Sequence, residues 1–200
     1  LGVPKQARLS GNHPAVAAAL EKTIQTFESL GAVVVDTDLP HADYGIAAYY
    51  IIATAEASSN LARLDGIRYG RRAALAAGDD LMALYCRSRA EGFGAEAQRR
   101  IMLGTHVLSS GYYDAYYTTA LKVRRLIKQD FDDIFNGRAI NTPPTGCHAV
   151  LMPSSPGPAI KIGEKSSDPM SLYLEDVHTV GVNLARLPGR TVPARIALAP

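Results

Sequence analysis

Residues 1–35 constrain the fold more tightly than any other stretch of this chain. Leu1-Gly2-Val3-Pro4 reads as the end of a strand running into a loop. Asn12 suits a helix N-cap, and Pro14 falls in the first turn, where its missing N–H costs nothing. Val16, Leu20, Ile24, Phe27 and Leu30 then recur at helical spacing until Gly31 ends the pattern. Ala32-Val33-Val34-Val35 is a continuous, mostly β-branched run, the pattern of a strand buried on both faces. Parallel strands cannot be joined by a tight turn and need a crossover of roughly a dozen residues or more, which the helix supplies. The expectation is a βαβ unit and an α/β fold.

The remainder reads mainly as helix. Over residues 41–65, Tyr49, Ile52, Glu56, Ser59 and Arg63 share one side and Tyr50, Ala53, Ala57 and Leu61 another, and the small residues allow close helix packing. Residues 66–78 have the Gly and Arg content of an exposed connection, after which Asp79 or Asp80 caps a helix carrying Leu81, Leu84 and Tyr85. Over residues 88–131, two long helical patterns meet at one glycine turn. The first sets Ala97, Arg100, Ile101, Gly104 and Leu108 near one side, so Arg100 lies beside an apolar stripe, and Ser110-Gly111 closes it. Tyr112 opens the second, with Tyr116, Ala120, Val123, Leu126 or Ile127, and Phe131 down one face. Tyr112, Tyr113, Tyr116 and Tyr117 pair at i, i+4 as packing residues do, and Lys122, Arg124, Arg125 and Lys128 read as a solvated face. Residues 137–147 form a polar connection. Residues 149–152 are the next buried strand, entering a turn-rich segment at 153–158, at the strand edge where open α/β sheets bind ligands.

Composition excludes several classes of function. With 47% hydrophobic and 20% charged residues and a formal net charge of +2, the chain has no electrostatic footprint for a polyanion. No apolar run approaches the ~20 residues that cross a bilayer, and no signal-peptide pattern opens the sequence. Cys86 and Cys147 lack Cys or His neighbours at ligand spacing, so neither a metal site nor a disulfide framework is expected.

Five segments carry a resemblance: SRAEGFG from Ser88, RRIMLGTHVLSSGYYDAYY from Arg99, KVRRLIKQDF from Lys122, YYIIATAEASSNLARLDGIRYG from Tyr49 and KIGEKSSDPMSLYLED from Lys161. Together they closely resemble the amidase signature family, in its branch of glutaminase subunits of tRNA-dependent amidotransferases. The resemblance implies a mixed sheet flanked by helices, of which residues 1–200 form a single partial domain, the C-terminal half. Members of the family use a Ser–cis-Ser–Lys triad, in which a neutral lysine activates a bridging serine and that serine the nucleophile, on a Gly/Ser-rich loop. Ser58-Ser59, Ser109-Ser110, Ser154-Ser155 and Ser166-Ser167 lack the flanking glycines of such a loop. No catalytic residue is therefore assigned to this chain, and the triad is expected to precede Leu1.

What remains is substrate recognition. The resemblance assigns glutamine's α-carboxylate to Arg100, its α-ammonium to Asp176, and a pocket wall with a hydroxyl donor to Tyr49. A guanidinium offers a planar fork to a carboxylate, and a carboxylate accepts from an ammonium. Arg99 is the neighbouring alternative, turned about 100° around the helix. The resemblance further implies no metal or cofactor in this chain, ATP and Mg at a partner subunit, a heterotrimer with two other subunits, and Glu-tRNA(Gln) reached through that complex. The expected location is the cytoplasm or an organellar matrix, away from membranes. A stand-alone amide hydrolase and a non-catalytic interaction module are the competing readings; the Arg100 and Asp176 pair separates them, because an apolar amide has no zwitterion to clamp. Arg186 and Arg190 stand where the family has a small or apolar residue, and residues 137–147 and 194–200 also depart from its pattern.

Overall fold

A computed structural model describes residues 1–162 and 169–193. Ser166-Ser167 and the divergent stretch 194–200 lie outside the described residues. Strands β1 (Gly2–Pro4) and β2 (Val35–Thr37) pair in parallel, with Gly2 opposite Val35, Val3 opposite Asp36 and Pro4 opposite Thr37. Helix α1 (Pro14–Ser29) is the crossover, so the expected βαβ unit forms. On the other side of β1, the Gly2 N–H donates to the Ala149 carbonyl and the Leu151 N–H donates to the Gly2 carbonyl, both at 2.9 Å, forming a parallel bridge to Val150. Three extended segments thus run side by side with β1 in the middle, and the α/β class holds.

Two local expectations shift. The strand after α1 begins only at Val35, and Val33 is 77% exposed. Gly31 (φ 90°) turns the chain out of the helix, its N–H bonding Glu28 and the Ala32 N–H bonding Phe27, so residues 32–34 are spent on leaving α1. The N-cap of α1 is His13, whose Nδ1 accepts from the Ala15 N–H at 3.2 Å. Asn12, one residue too early to cap, donates its amide to the Ala7 carbonyl.

The chain divides into two compact units, residues 1–46 with 122–200, and residues 47–121. In the first, Val3, Ala7, Leu20 and Ile24 form a core against which Val34, Leu151 and Met152 pack. Helix α5 (Thr119–Phe135) buries Ile127, Phe131 and Ile134, leaving Leu126 44% exposed, which settles which of the adjacent pair faces inward. The connection 137–147 folds back on the end of α5: a Cβ on Gly146 would stand 2.5 Å from the Phe135 carbonyl carbon, and the Cys147 N–H donates to Ile134 at 3.0 Å. The short helices α6 (Pro169–Tyr173) and α7 (Val180–Leu184) follow, joined through a 3-10 turn at Leu174–Asp176.

The second unit is helical, built on α2 (Gly45–Leu61), which begins at the end of the first, with α3 (Leu81–Gly92) and α4 (Ala95–Val107). Asp80 caps α3, accepting from the Ala83 N–H at 2.8 Å. The buried Ser88 hydroxyl accepts from the Ala73 N–H, pinning the otherwise exposed connection over 66–78. Gly104 sets the α2–α4 contact: a Cβ there would lie 2.5 Å from the Thr54 carbonyl carbon and 2.8 Å from Ser58 Cβ. The small residues of α2 therefore let two backbones meet. Beyond Gly111 (φ 86°), Tyr113–Thr118 is a π-helical turn before α5 proper. Tyr112 stacks on Tyr116 and Tyr113 packs on Tyr117, with centroids 5.9 and 5.3 Å apart; the rings pack on one another while Tyr112, Tyr113 and Tyr116 stay exposed.

Candidate functional site

The Gly104 contact fixes what lies one turn earlier on both helices. Four residues back from Gly104 on α4 is Arg100, and four back from Thr54 on α2 is Tyr50; the guanidinium carbon sits 5.6 Å from the Tyr50 ring centroid, within cation–π range. Tyr49 packs edge-on against Tyr50, with centroids 4.9 Å and planes 81° apart. The Arg100 Nε donates to Glu96 Oε1 at 2.8 Å, an i, i+4 pair. That hydrogen bond is the largest influence on Arg100 and holds its pKa above the ordinary guanidinium value, against the opposing cost of burial; Tyr50 and Tyr49 add to it. Arg99 pairs with the other Glu96 oxygen and is exposed. The 100° step between neighbours thus sends Arg100, half-buried, to the aromatic pair and Arg99 to solvent.

Asp176 ends the 3-10 turn Leu174–Asp176 and is exposed. Its carbonyl accepts from the Thr179 N–H at 3.0 Å and from the Thr179 hydroxyl at 3.2 Å. The turn faces the C-terminal edge of the parallel strands, where the sequence pattern predicts a ligand wall. There the Ser155 hydroxyl lies 3.4 Å from Glu175 Oε2, and the His13 N–H donates to the Pro156 carbonyl at 2.7 Å. A cavity of about 210 Å³ opens at the same edge, walled by Gln6 beyond β1, Leu39 beyond β2, Met152, and Leu174, Val177 and His178 around Asp176.

Two buried polar residues in this region are not foreseen from the sequence. Asp130 accepts from both the backbone N–H and Nδ1 of His41, each at 2.8 Å. His178, 2% exposed, has Nε2 2.8 Å from Asn12 Oδ1, and burial pushes its pKa down from the ordinary imidazole value. Neither has a sequence signal, since a lone Asp or His within a helical pattern looks like a surface residue. The hydroxyls of Ser58, Ser109 and Ser155 each donate to a main-chain carbonyl. Among the described residues, no group of three or more His, Cys, Asp or Glu could hold a metal, and no helix is long and apolar enough to cross a membrane.

A parallel α/β core carrying helices whose segments match amidase sequences defines the class: the amidase family model matches residues 1–197, and this chain belongs to that family. Within it, the chain is 52% identical over 198 residues to the A subunit of the glutamyl-tRNA(Gln) amidotransferase of Azorhizobium caulinodans, covering 98% of this chain and 38% of that protein. It is 55% identical over 194 residues to the A subunit of the same enzyme in Geobacter sulfurreducens, covering 97% and 38%. A crystal structure of the corresponding Thermotoga maritima protein superposes with a TM-score of 0.61 at 35% identity, covering 92% of this chain and 32% of that one. The chain thus spans 38% of the length of these curated relatives.

Proposed function

We propose that this chain is the glutamine-binding part of the glutaminase subunit of a glutamyl-tRNA(Gln) amidotransferase. The observation that carries the reading is Arg100, half-buried over Tyr50 beside Tyr49, in a chain more than half identical to proteins of that name. Glutamine is a zwitterion at its α-carbon. Arg100 takes the carboxylate through its planar fork, sharing the guanidinium with Glu96; Asp176 accepts from the ammonium; Tyr49 forms a wall and offers a hydroxyl. Water adds across the side-chain amide to give glutamate and ammonia. The nucleophile and its activating residues belong to the part of the longer relatives that this chain does not span. Ammonia passes to a partner subunit, where ATP with Mg activates the glutamate of Glu-tRNA(Gln). The chain binds no cofactor of its own, works with two other subunits, and meets tRNA through the complex in the cytoplasm or an organellar matrix.

The test is Asp176→Asn in the full-length protein assembled with its partners. KM for glutamine should rise strongly while ammonia supplied directly supports amidation as before, because that route bypasses the glutamine pocket. Equal loss with both nitrogen donors would assign Asp176 to folding or assembly and remove it from the site.

A further inference from the structure

His178 lies two residues beyond Asp176, and its partners form a chain of hydrogen bonds that starts in the sheet. Ala7, fully buried in the 3-10 turn after β1, accepts from the Asn12 Nδ2 at 2.9 Å. That bond fixes which end of the Asn12 amide faces His178: the carbonyl oxygen Oδ1, 2.8 Å from Nε2. A carbonyl oxygen only accepts, so the proton sits on Nε2 and the neutral imidazole donates. From there the main chain returns to Asp176. Thr179, adjacent to His178, gives both its N–H and its hydroxyl to the Asp176 carbonyl, and Val180 and Leu184 beyond it are buried. The longer Ser155–Glu175 contact, at 3.4 Å, is the weaker mooring of the same turn.

We propose that His178 is a positioning residue: through Asn12 it ties the turn carrying Asp176 to the end of β1 and so sets where the carboxylate meets the ammonium of glutamine. This inference rests on the proposed role of Asp176. An imidazole is suited to the task because it fills an apolar site with a ring and spends one directed N–H on Asn12. An apolar residue of similar bulk would leave the Asn12 oxygen without its donor, and the turn would relax to rehydrate it.

The experiment uses the full-length protein in its complex. His178→Leu should raise KM for glutamine about tenfold with kcat within about twofold, as expected for one buried hydrogen bond, and ammonia-driven amidation should be unchanged. His178→Gln keeps a side-chain N–H near the position of Nε2 and should return KM to within about threefold of the parent. Asn12→Ala cuts the same bond from the other side, and the double variant should be no worse than the worse single, since both remove one interaction. If His178→Leu does not fold, Asn12→Ala carries the test. An unchanged KM, or a parallel fall in ammonia-driven amidation, would overturn the role of His178. Asp176→Asn separates the failures: if it also leaves KM unchanged, the glutamine-site reading falls, whereas if it raises KM and the His178 and Asn12 variants do not, only the positioning role falls.

Discussion

Gly104→Ala should destabilise the helical unit, although alanine is the better helix former. An added Cβ would stand 2.5 Å from the Thr54 carbonyl carbon and 2.8 Å from Ser58 Cβ, where ordinary contact begins at 3.4 Å. The nearer obstacle is backbone, which cannot swing aside as a long side chain would, so α4 must back away from α2. Overpacking of this kind costs up to about 3 kcal/mol. Alanine's helix propensity offsets about 1 kcal/mol of that, leaving a net loss of roughly 2 kcal/mol. The displacement also draws Arg100 off the Tyr50 ring one turn away, so the variant should raise KM for glutamine in the full-length protein. Urea unfolding read by helical circular dichroism measures the first effect. A variant as stable as the parent, or more stable by the propensity difference, would refute the backbone contact and with it the account of how Arg100 is placed.

Three further outcomes follow from other parts of the chain. Arg186 holds a left-handed conformation (φ 56°) just past α7, a position glycine takes without steric cost, so Arg186→Gly should be neutral to stabilising by up to about 1 kcal/mol in urea; clear destabilisation would mean the side chain carries a contact outweighing the strain. Because burial lowers the pKa of His178 below its ordinary 6.5, the unfolded state takes up the proton first, and stability should fall as pH drops below about 6.5 while staying flat above it; His178→Gln should remove that slope, and a slope unchanged in the variant would assign it elsewhere. Asp38 and Asp133, whose pKa values lie below 3.8, lose their contributions only under more acidic conditions, so the two windows separate. Residues 1–200 alone should release no ammonia from glutamine above a buffer control, and measurable turnover would place a nucleophile within this stretch.

Much of the fold was legible because periodicity reports burial. The α1 stripe, a cap at Asp79 or Asp80, the Gly111 turn and the inward positions Ala120 and Phe131 of α5 follow from spacing and end signals alone, while the choice of Asp80, and of Ile127 over Leu126, needed the structure. What was not legible depended on geometry that spacing does not encode. Val33 reads as strand, yet the exit from α1 consumes it. Asn12 has the right residue type for a cap, but His13 takes the position and frees Asn12 to bridge Ala7 and His178. Gly104 was recognisable as a small residue on the Arg100 side of its helix, but its closeness to Thr54 needed the partner helix in place. Arg99 and Arg100 look alike in the sequence, and only the packed pair of helices shows that Arg100 lies over Tyr50 while Arg99 is exposed.

The central claim is most directly tested by kcat/KM for glutamine in full-length Arg100→Ala and Arg99→Ala, each assembled with its partners. A charge-assisted, forked contact to the substrate carboxylate predicts a loss of roughly 2 to 4 kcal/mol in transition-state binding for Arg100→Ala and partial recovery in Arg100→Lys. The exposed Arg99, paired with Glu96 at the surface, should change by less than about 0.5 kcal/mol. Unchanged kcat/KM in Arg100→Ala, or a large loss in Arg99→Ala instead, would contradict the account.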